Sequence, residues 1–232
     1  MNNQVNVMIA GADMGGLIAS CALHYDFQNR LLQEDRFRIS RLEKDTLTME
    51  DVEQCDLSGV EYVVNATLHD TEASFAFDEK CKKQGIPVIH AVNLGKAAFL
   101  AVEKPKGYPF SEVKKRNSDE GSIGKHEEDS IEKHEEDSIE KHEDRIALDS
   151  WNADIFQRKL GKYISQYGMF WQKPVPWIDE AIKNYSEKSF PQLSIGAYIA
   201  AGYCVNILCR LAEGKEVKYF PKFYLSPLLE EV

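Results

Sequence analysis

Short apolar segments alternate with helical segments through residues 1–105, and this alternation restricts the chain to a few architectures. The predicted strands are 5–10, 37–42, 60–66, 86–91 and 97–102. Apolar residues at spacings of three and four predict helices over 15–32 and 72–84, and Thr48 followed by acidic residues predicts the start of another. Strands that alternate with helices form crossover units, which place parallel strands in one sheet with helices on both faces. We therefore predict an α/β fold with a doubly wound, mainly parallel sheet.

An acidic octapeptide repeat interrupts this pattern. A unit that begins Ser-Ile and continues Lys-His-Glu occurs three times, every eight residues from Ser122. Residues 118–144 hold twelve acidic and three basic side chains, so they carry nine of the ten net negative charges of the chain. Such a tract has too little apolar surface to fold alone. We predict a single domain over 1–232, interrupted at 112–149 by a solvated loop without fixed structure.

The distribution of charge and histidine limits the ligands that this chain could bind. Outside the tract the chain is nearly neutral, so it lacks the basic surface that nucleic-acid binding needs. Within the tract, His126, His134 and His142 recur beside carboxylates, a pattern that can hold metal ions. We favour a solvated loop instead. Residues eight apart do not stay on one face of a helix, so these histidines would not form a closed set of metal ligands. The sequence therefore predicts no metal ligand.

From residue 151 onward the chain is again typical of folded segments. The predicted elements are a helix over 154–167, an extended connector over 171–177, a short helix over 179–188, a long apolar helix that Pro191 opens, and an extended tail over 217–224. The long helix could cross a bilayer by its length, but Asn206 and Arg210 lie inside it. We expect a buried or dimer-interface helix and no membrane span. The aromatic tail indicates an edge strand, in which Pro221 would prevent pairing with a further strand.

The cysteine pattern indicates a reducing compartment. The five cysteines are odd in number and widely spaced, at Cys21, Cys55, Cys81, Cys204 and Cys209. No Cys-x-x-Cys pair occurs, so the sequence supports neither a zinc ribbon nor a thioredoxin-like site. The first residues show neither the basic region nor the cleavage pattern of a secretory signal. We expect free thiols in the cytoplasm, with Cys81, Cys204 and Cys209 in apolar surroundings.

A glycine-rich turn joins the first strand to the first helix, which is the context that a dinucleotide fingerprint requires. Gly11 and Gly16 fit the first and third glycines of that fingerprint and Gly15 lies beside them, whereas Asp13 replaces the second. A carboxylate there would repel a phosphate, since like charges about 4 Å apart cost on the order of a few kcal/mol. Two interpretations stay open. The turn binds phosphate, or its glycines only permit close strand–helix packing while Asp13 caps the helix.

Polar side chains follow three of the other predicted strands, at the edge where open α/β sheets bind ligands. Glu43 and Asp45 follow the second strand, where an acidic residue would hold a ribose. The remaining candidates are Asn65, His69 and Asp70 at the end of the third strand, and His90 and Asn93 at the end of the fourth. Their shared edge favours a ligand site, while a loop histidine and a helix cap are the alternatives for His69 and Asp70.

Three segments together resemble the ThiF/HesA/ubiquitin-activating-like family. They are Val-Glu-Tyr-Val-Val-Asn-Ala-Thr over 60–67, the helix and Gly-Ile-Pro strand over 77–91, and the turn and strand over 95–105. In that family a strand ending Val-Val-Asp-Ala-Thr leads to a helix, then to Gly-Ile-Pro and a further strand. The resemblance covers about 5–105 and 190–225 and places the repeat tract in a variable crossover. It implies a Rossmann-like fold.

The resemblance also implies a chemistry. Members of the family bind ATP and Mg²⁺ and adenylate the C-terminal glycine of a small ubiquitin-like or sulfur-carrier protein. Together with the strand-end residues, it points to a cofactor-binding set and a catalytic pair. The cofactor-binding set is Gly11, Asp13, Gly15, Gly16, Glu43 and Asn65, and the catalytic pair is His69 and Asp70. Asp13 and Asn65 stand where the family has Gly and Asp, and Leu68 stands where its magnesium-linked Asp would fall.

The sequence is compatible with three functions. The leading one is a ThiF-like ATP-binding protein of the ubiquitin-like or sulfur-carrier activating class. It either has an altered adenylating site or is a catalytically reduced partner of an active homologous subunit. It would form a homodimer or heterodimer through the long apolar helix or the aromatic tail. The alternatives are an NAD(P)-dependent oxidoreductase, with His69 or His90 near the substrate, and a non-enzymatic interaction scaffold.

Overall fold

The computed structural model describes residues 4–24, 36–95, 97–114, 151–167 and 194–227. The strands are β1 (Val5–Ala10), β2 (Phe37–Leu42), β3 (Tyr62–Asn65), β4 (Val88–Asn93), β5 (Ala97–Glu103) and β6 (Phe223–Pro227). The helices are α1 (Asp13–His24), α2 (Met49–Gln54), α3 (Glu72–Lys83), α4 (Ala153–Tyr167) and α5 (Ser194–Ala212), with a short 3₁₀ turn at Phe110–Val113.

The chain divides into two compact units. The first unit comprises Met1–Phe110 and Phe190–Val232, and the second comprises Ser111–Ser189. The first unit contains the whole sheet, whereas the second contributes α4 as its described helix. The predicted repeat loop, the connector over 171–177 and the short helix over 179–188 lie outside the described residues.

The six strands form one sheet in the order β2-β1-β3-β4-β5-β6. β1 pairs in parallel with β2 and with β3, and β3 pairs in parallel with β4. The register sets Ala10 opposite both Leu42 and Asn65, and Asn65 opposite His90. The carboxyl ends of four strands therefore lie along one edge, as the sequence predicts for the candidate residues that follow them.

The other end of the sheet adds two antiparallel pairs to the mainly parallel arrangement that the sequence predicts. β4 pairs antiparallel with β5, and β5 pairs antiparallel with β6. Only residues 94–96 separate β4 from β5, and a parallel return needs a connection of about a dozen residues or more. The sheet is mixed and mostly parallel, compatible with a Rossmann-like fold.

Helices cover both faces of the sheet. On one face α1 and α5 pack against apolar residues of the central strands, with Ile18, Val64 and Leu208 in one buried cluster. On the other face α2 and α3 enclose a second cluster that includes Val52 and Phe77. Every residue of β4 and β5 is buried, which explains their near-continuous apolar sequence.

Among the residues described, α5 is the helix whose length and apolar composition would allow it to cross a membrane. Half of its apolar stretch is buried in the fold, where α5 contacts α1, β4 and β5. Tyr198 and Tyr203 lie exposed on its outer side. Its apolar composition is therefore accounted for in part by packing on the sheet.

The tail forms an edge strand, but later than predicted. β6 begins at Phe223, and before it only Tyr219 forms a bridge, with Val102 of β5. Proline lacks a backbone N–H, so Pro221 cannot donate to the ladder and the strand begins after it.

Candidate functional site

The glycine turn brings β1 and α1 close to the end of β3. Gly11 has φ of 122°, and a Cβ there would lie 2.8 Å from the carbonyl oxygen of Ala66. A Cβ on Gly15 would lie 3.3 Å from Ile9. Gly11 therefore requires glycine for backbone packing, whatever else the turn binds, and a side chain at Gly15 would be tight against Ile9.

The first N–H groups of α1 are already bonded to a carboxylate. Asp45 Oδ1 accepts hydrogen bonds from the backbone N–H groups of Ala12 at 2.8 Å and Asp13 at 3.2 Å. The Arg41 guanidinium donates to the carbonyl oxygens of Gly11 at 2.8 Å and Ala12 at 3.1 Å. A helix N-terminus attracts anions, and here Asp45 supplies that anion from within the chain. Asp13 itself is exposed.

Two carboxylates lie near this turn on the same edge. The Glu43 side chain follows β2 and is 71% exposed, with Arg41 Nη1 at 3.9 Å. Asp70 follows β3 and accepts a hydrogen bond from Thr46 Oγ1 at 2.5 Å. Its other oxygen, Oδ1, has no hydrogen-bond partner among the residues that the structure describes. Glu43 is thus largely exposed at this edge, whereas Asp70 Oδ1 is buried.

Asn65 faces the interior of the protein. Its Oδ1 accepts hydrogen bonds from Thr67 Oγ1 at 2.7 Å and from the Thr67 backbone N–H at 3.2 Å. Its Nδ2 donates to Asp78 Oδ1 at 2.7 Å. Asn65 is fully buried and organises the loop after β3, so cofactor binding by Asn65 stays a prediction.

His69 and His90 lie together beneath the same edge. His69 has φ of 52° and is fully buried, and its Nδ1 lies 3.1 Å from the carbonyl oxygen of Thr67. His90, in β4, is fully buried, and its Nε2 lies 3.0 Å from Glu103 Oε2. Both partners are acceptors, so each of these ring nitrogens carries a proton and donates it.

Asp78 of α3 lies between the two histidines. Its Oδ2 is 4.0 Å from His69 Nε2 and 3.9 Å from His90 Nδ1. Burial raises the pKa of Asp78 to about 7, although His90 and the Asn65 hydrogen bond act in the opposite direction. The ring of Phe110 stacks on His90 with centroids 3.9 Å apart, which closes the cluster with an apolar surface.

Glu103 of β5 links this cluster to a lysine. Its Oε1 forms an ion pair with Lys82 Nζ at 2.7 Å, and Glu103 is 1% exposed. Burial opposes ionisation of Glu103, but the hydrogen bonds and charges of His90 and Lys82 outweigh it and lower its pKa. Glu103 is therefore an ionised acceptor that holds the His90 ring in one orientation.

Part of this arrangement is predictable from the sequence. The strand ends predict His69 and His90 at one edge, and the structure brings their ring centroids to 5.7 Å. Asp78, in a charged stretch of α3, and the hydrogen bonds of Asp45 to the glycine turn are not predicted. The available signal for Asp78 is its spacing of four from Ser74 and three from Cys81, both buried on the same helix face.

Comparisons with known proteins give structural matches alone. No family model matches the chain, and no curated protein matches it. The crystal structure of PaaA matches with a TM-score of 0.46 and 14% identity, covering 98% of this chain and 70% of PaaA. E. coli MccB matches with a TM-score of 0.43 and 11% identity, covering 97% of this chain and 62% of MccB. A crystal structure of MccB with ATP matches with a TM-score of 0.43 and 11% identity, over 92% of this chain and 57% of that one.

Proposed function

We propose that this chain is a ThiF-like protein that binds ATP with Mg²⁺ and belongs to the class that activates ubiquitin-like or sulfur-carrier proteins. The proposal rests first on the resemblance of 60–67, 77–91 and 95–105 to that family. Its protein partner would be such a carrier or an active homologous subunit. The five free cysteines favour a reducing compartment, and we propose the cytoplasm.

The observation that carries the choice of ATP is the hydrogen bonding of Asp45 to the first N–H groups of α1. A dinucleotide cofactor places its pyrophosphate at those groups in a doubly wound fold. In this chain an anion already accepts from them, and Asp13 adds a second negative charge nearby. A dinucleotide is therefore disfavoured, which argues against the oxidoreductase alternative. A mononucleotide whose phosphates point away from α1 avoids this conflict.

The carboxylates of Glu43 and Asp70 at this edge fit a mononucleotide with its metal ion. Glu43 follows β2, the position from which an acidic residue binds ribose hydroxyls. The Asp70 oxygen without a described partner suits Mg²⁺, which prefers oxygen ligands and keeps several waters. We assign Glu43 to the ribose and Asp70 to the magnesium ion.

Ligand titration separates the candidate functions. We expect ATP with Mg²⁺ to raise the melting temperature of the purified chain and NAD(H) to leave it unchanged, because a ligand stabilises the state that binds it. Pyrophosphate exchange into ATP, measured with and without a carrier protein, then tests adenylation. Stabilisation by NAD(H) alone would favour the oxidoreductase, and no shift with either ligand would contradict nucleotide binding.

Two variants locate the site. Glu43→Gln should weaken ATP binding roughly tenfold, since it removes an acceptor for ribose hydroxyls. Glu53→Gln makes the same charge change at an exposed position of α2 and should bind ATP like the unmodified chain. Equal ATP affinity of both variants would place the ribose elsewhere.

A further inference from the structure

Three buried side chains of the first unit converge on one small space. The atoms that His69, Asp78 and His90 could offer to a metal ion all lie within 4.8 Å of one another. The exposed fractions of these side chains are 0%, 4% and 0%. They come from the loop after β3, from α3 and from β4, so the cluster joins three parts of the first unit.

Two of the converging atoms lack a hydrogen-bond partner. Asp78 Oδ2 and His90 Nδ1 are buried polar atoms without a hydrogen-bond partner in the described part of the chain. They face each other at 3.9 Å, which is longer than any hydrogen bond that a shared proton would make. Buried polar groups are normally paired, because leaving them unpaired in the interior is costly. The distance between Asp78 Oδ2 and His90 Nδ1 therefore suits a metal cation bound between them better than a shared proton.

Each converging group is held by a second contact on its far side. His90 Nε2 donates to Glu103, and His69 Nδ1 donates to the Thr67 carbonyl oxygen. A metal ion binds the neutral form of an imidazole, in which the nitrogens that face Asp78 carry lone pairs. Metal-binding histidines characteristically donate their other ring N–H to a carboxylate or a backbone carbonyl. Asp78 is held in the same way, through the hydrogen bond that Asn65 donates to Oδ1.

The distances fit a small divalent ion after a modest contraction. Zinc bonds of about 2.0–2.2 Å set tetrahedral ligand atoms roughly 3.3–3.6 Å apart. The two contacts of Asp78 Oδ2, at 4.0 and 3.9 Å, are about 0.3–0.4 Å longer than the upper end of this range, and the three ligand atoms all lie within 4.8 Å of one another. Rotation of the Asp78 carboxylate and small shifts of the rings would close that difference.

We propose that His69, Asp78 and His90 bind one divalent transition-metal ion, for which zinc is the best fit. Two imidazoles and one carboxylate suit zinc, whereas Mg²⁺ and Ca²⁺ prefer oxygen ligands. The ligands are buried under the Phe110 ring, so the ion holds the loop after β3, α3 and β4 together. This metal site is separate from the magnesium ion assigned to Asp70, and its test does not depend on ATP binding.

The test uses the full chain, stripped of metal with a chelator and titrated with ZnCl₂ or CoCl₂. We expect one tightly bound equivalent of zinc, a melting temperature that rises with zinc concentration, and visible Co²⁺ absorption bands of a low-symmetry N/O site. Asp78→Asn should weaken zinc affinity by about a hundredfold or more. The new amide can donate to His90 Nδ1, so the metal-free variant should melt no lower than the metal-free parent. This combination separates loss of metal binding from loss of folding.

Two further variants complete the design. His90→Gln should also lose the zinc equivalent, and it replaces Asp78→Asn if that variant does not fold. The triple variant His126→Gln, His134→Gln and His142→Gln removes the repeat histidines and should keep the tightly bound equivalent. A parent chain without a zinc response would overturn the proposal. So would a zinc equivalent that the triple variant loses and Asp78→Asn keeps.

Discussion

Gly196 stands where the first turn of α5 crosses the connection between β4 and β5. A Cβ there would collide with Asn93 Oδ1 and the Gly95 carbonyl oxygen, and it would lie 3.0 Å from the Ala97 carbonyl oxygen. Two of these atoms belong to the backbone, which cannot move aside as a flexible side chain can. The absence of a side chain at Gly196 therefore determines how closely α5 approaches the sheet.

We predict that Gly196→Ala destabilises the protein by about 1–3 kcal/mol, because overpacking forces the helix away from β4 and β5. Urea unfolding would measure the change in the free energy of unfolding. Gly202→Ala is the matched control, since a Cβ at Gly202 meets nothing within 4 Å. That variant should be about 0.5–1 kcal/mol more stable, through helix propensity alone. Equal effects of the two substitutions would contradict the proposed close contact.

At the level of single residues, the candidate site was only partly predictable from the sequence. His69, Asp70 and Glu43 follow strands, and parallel strands end at one edge, so their neighbourhood follows from the sequence pattern. Asp45 also follows a strand, but its hydrogen bonds to the glycine turn could not be predicted from that pattern, nor could the position of Asp78. Asp45 bonds to residues 32 and 33 positions earlier, and Asp78 faces His69 and His90 from a helix, and no periodicity encodes either contact.

α2 shows how a short helix is stabilised at its first turn. Thr48 Oγ1 accepts from the Asp51 N–H at 3.2 Å, and Asp51 Oδ2 accepts from the Thr48 N–H at 2.9 Å. These reciprocal bonds form a capping box, which confirms the predicted start at Thr48. The hydrogen bond from Lys44 contributes most, and those from Thr48 less, in lowering the pKa of Asp51 from 3.8 to about 2.

This shift predicts a pH-dependent contribution to stability. The pKa of Asp51 is lower in the folded chain, so its stabilisation is present above pH 3.8 and is lost as the pH falls towards 2. The melting temperature of the parent should exceed that of Asp51→Asn at pH 6, and the difference should shrink below pH 4. Lys44→Met should narrow this pH dependence. A difference that stays constant with pH would exclude an ionised Asp51 as the acceptor of the Thr48 N–H hydrogen bond.

Element type was more predictable than strand direction. β1 and β2 have the predicted bounds, and β3, β4, β5 and α3 differ by a few residues at their ends. The prediction of a mainly parallel sheet left open that β5 and β6 run antiparallel. β5 does so because its connection of three residues from β4 permits only a hairpin-like return. The buried positions of Cys81, Cys204 and Cys209 are confirmed, because each belongs to the apolar face of its helix.

For the molecule as a whole, the net charge and the folded core belong to different parts of the chain. The repeat tract holds nine of the ten net negative charges, and the sheet with its two apolar clusters forms within the first unit. The total charge therefore describes the tract and carries little information about the folded unit.

We predict that deleting residues 118–144 leaves the melting temperature unchanged, because the tract has little apolar surface to contribute to a core. Truncation before Phe223 is the contrasting variant. It removes β6 and the contact of the Phe223 ring with Phe99, whose centroids are 5.1 Å apart, so it should lower the melting temperature. Both variants are compared with the full chain by circular dichroism. Loss of soluble protein on deleting the tract would show that it supports the fold.

The sequence alone determined which segments are strands and helices, because residue periodicity and end signals act over neighbouring residues. It also determined that polar strand ends would meet at one edge of a sheet. Only the tertiary structure decided that β5 and β6 run antiparallel, that Asp45 bonds to the glycine turn, and that Asp78 lies between two histidines. These features depend on contacts between residues far apart in the chain, which packing and hydrogen-bond geometry select together.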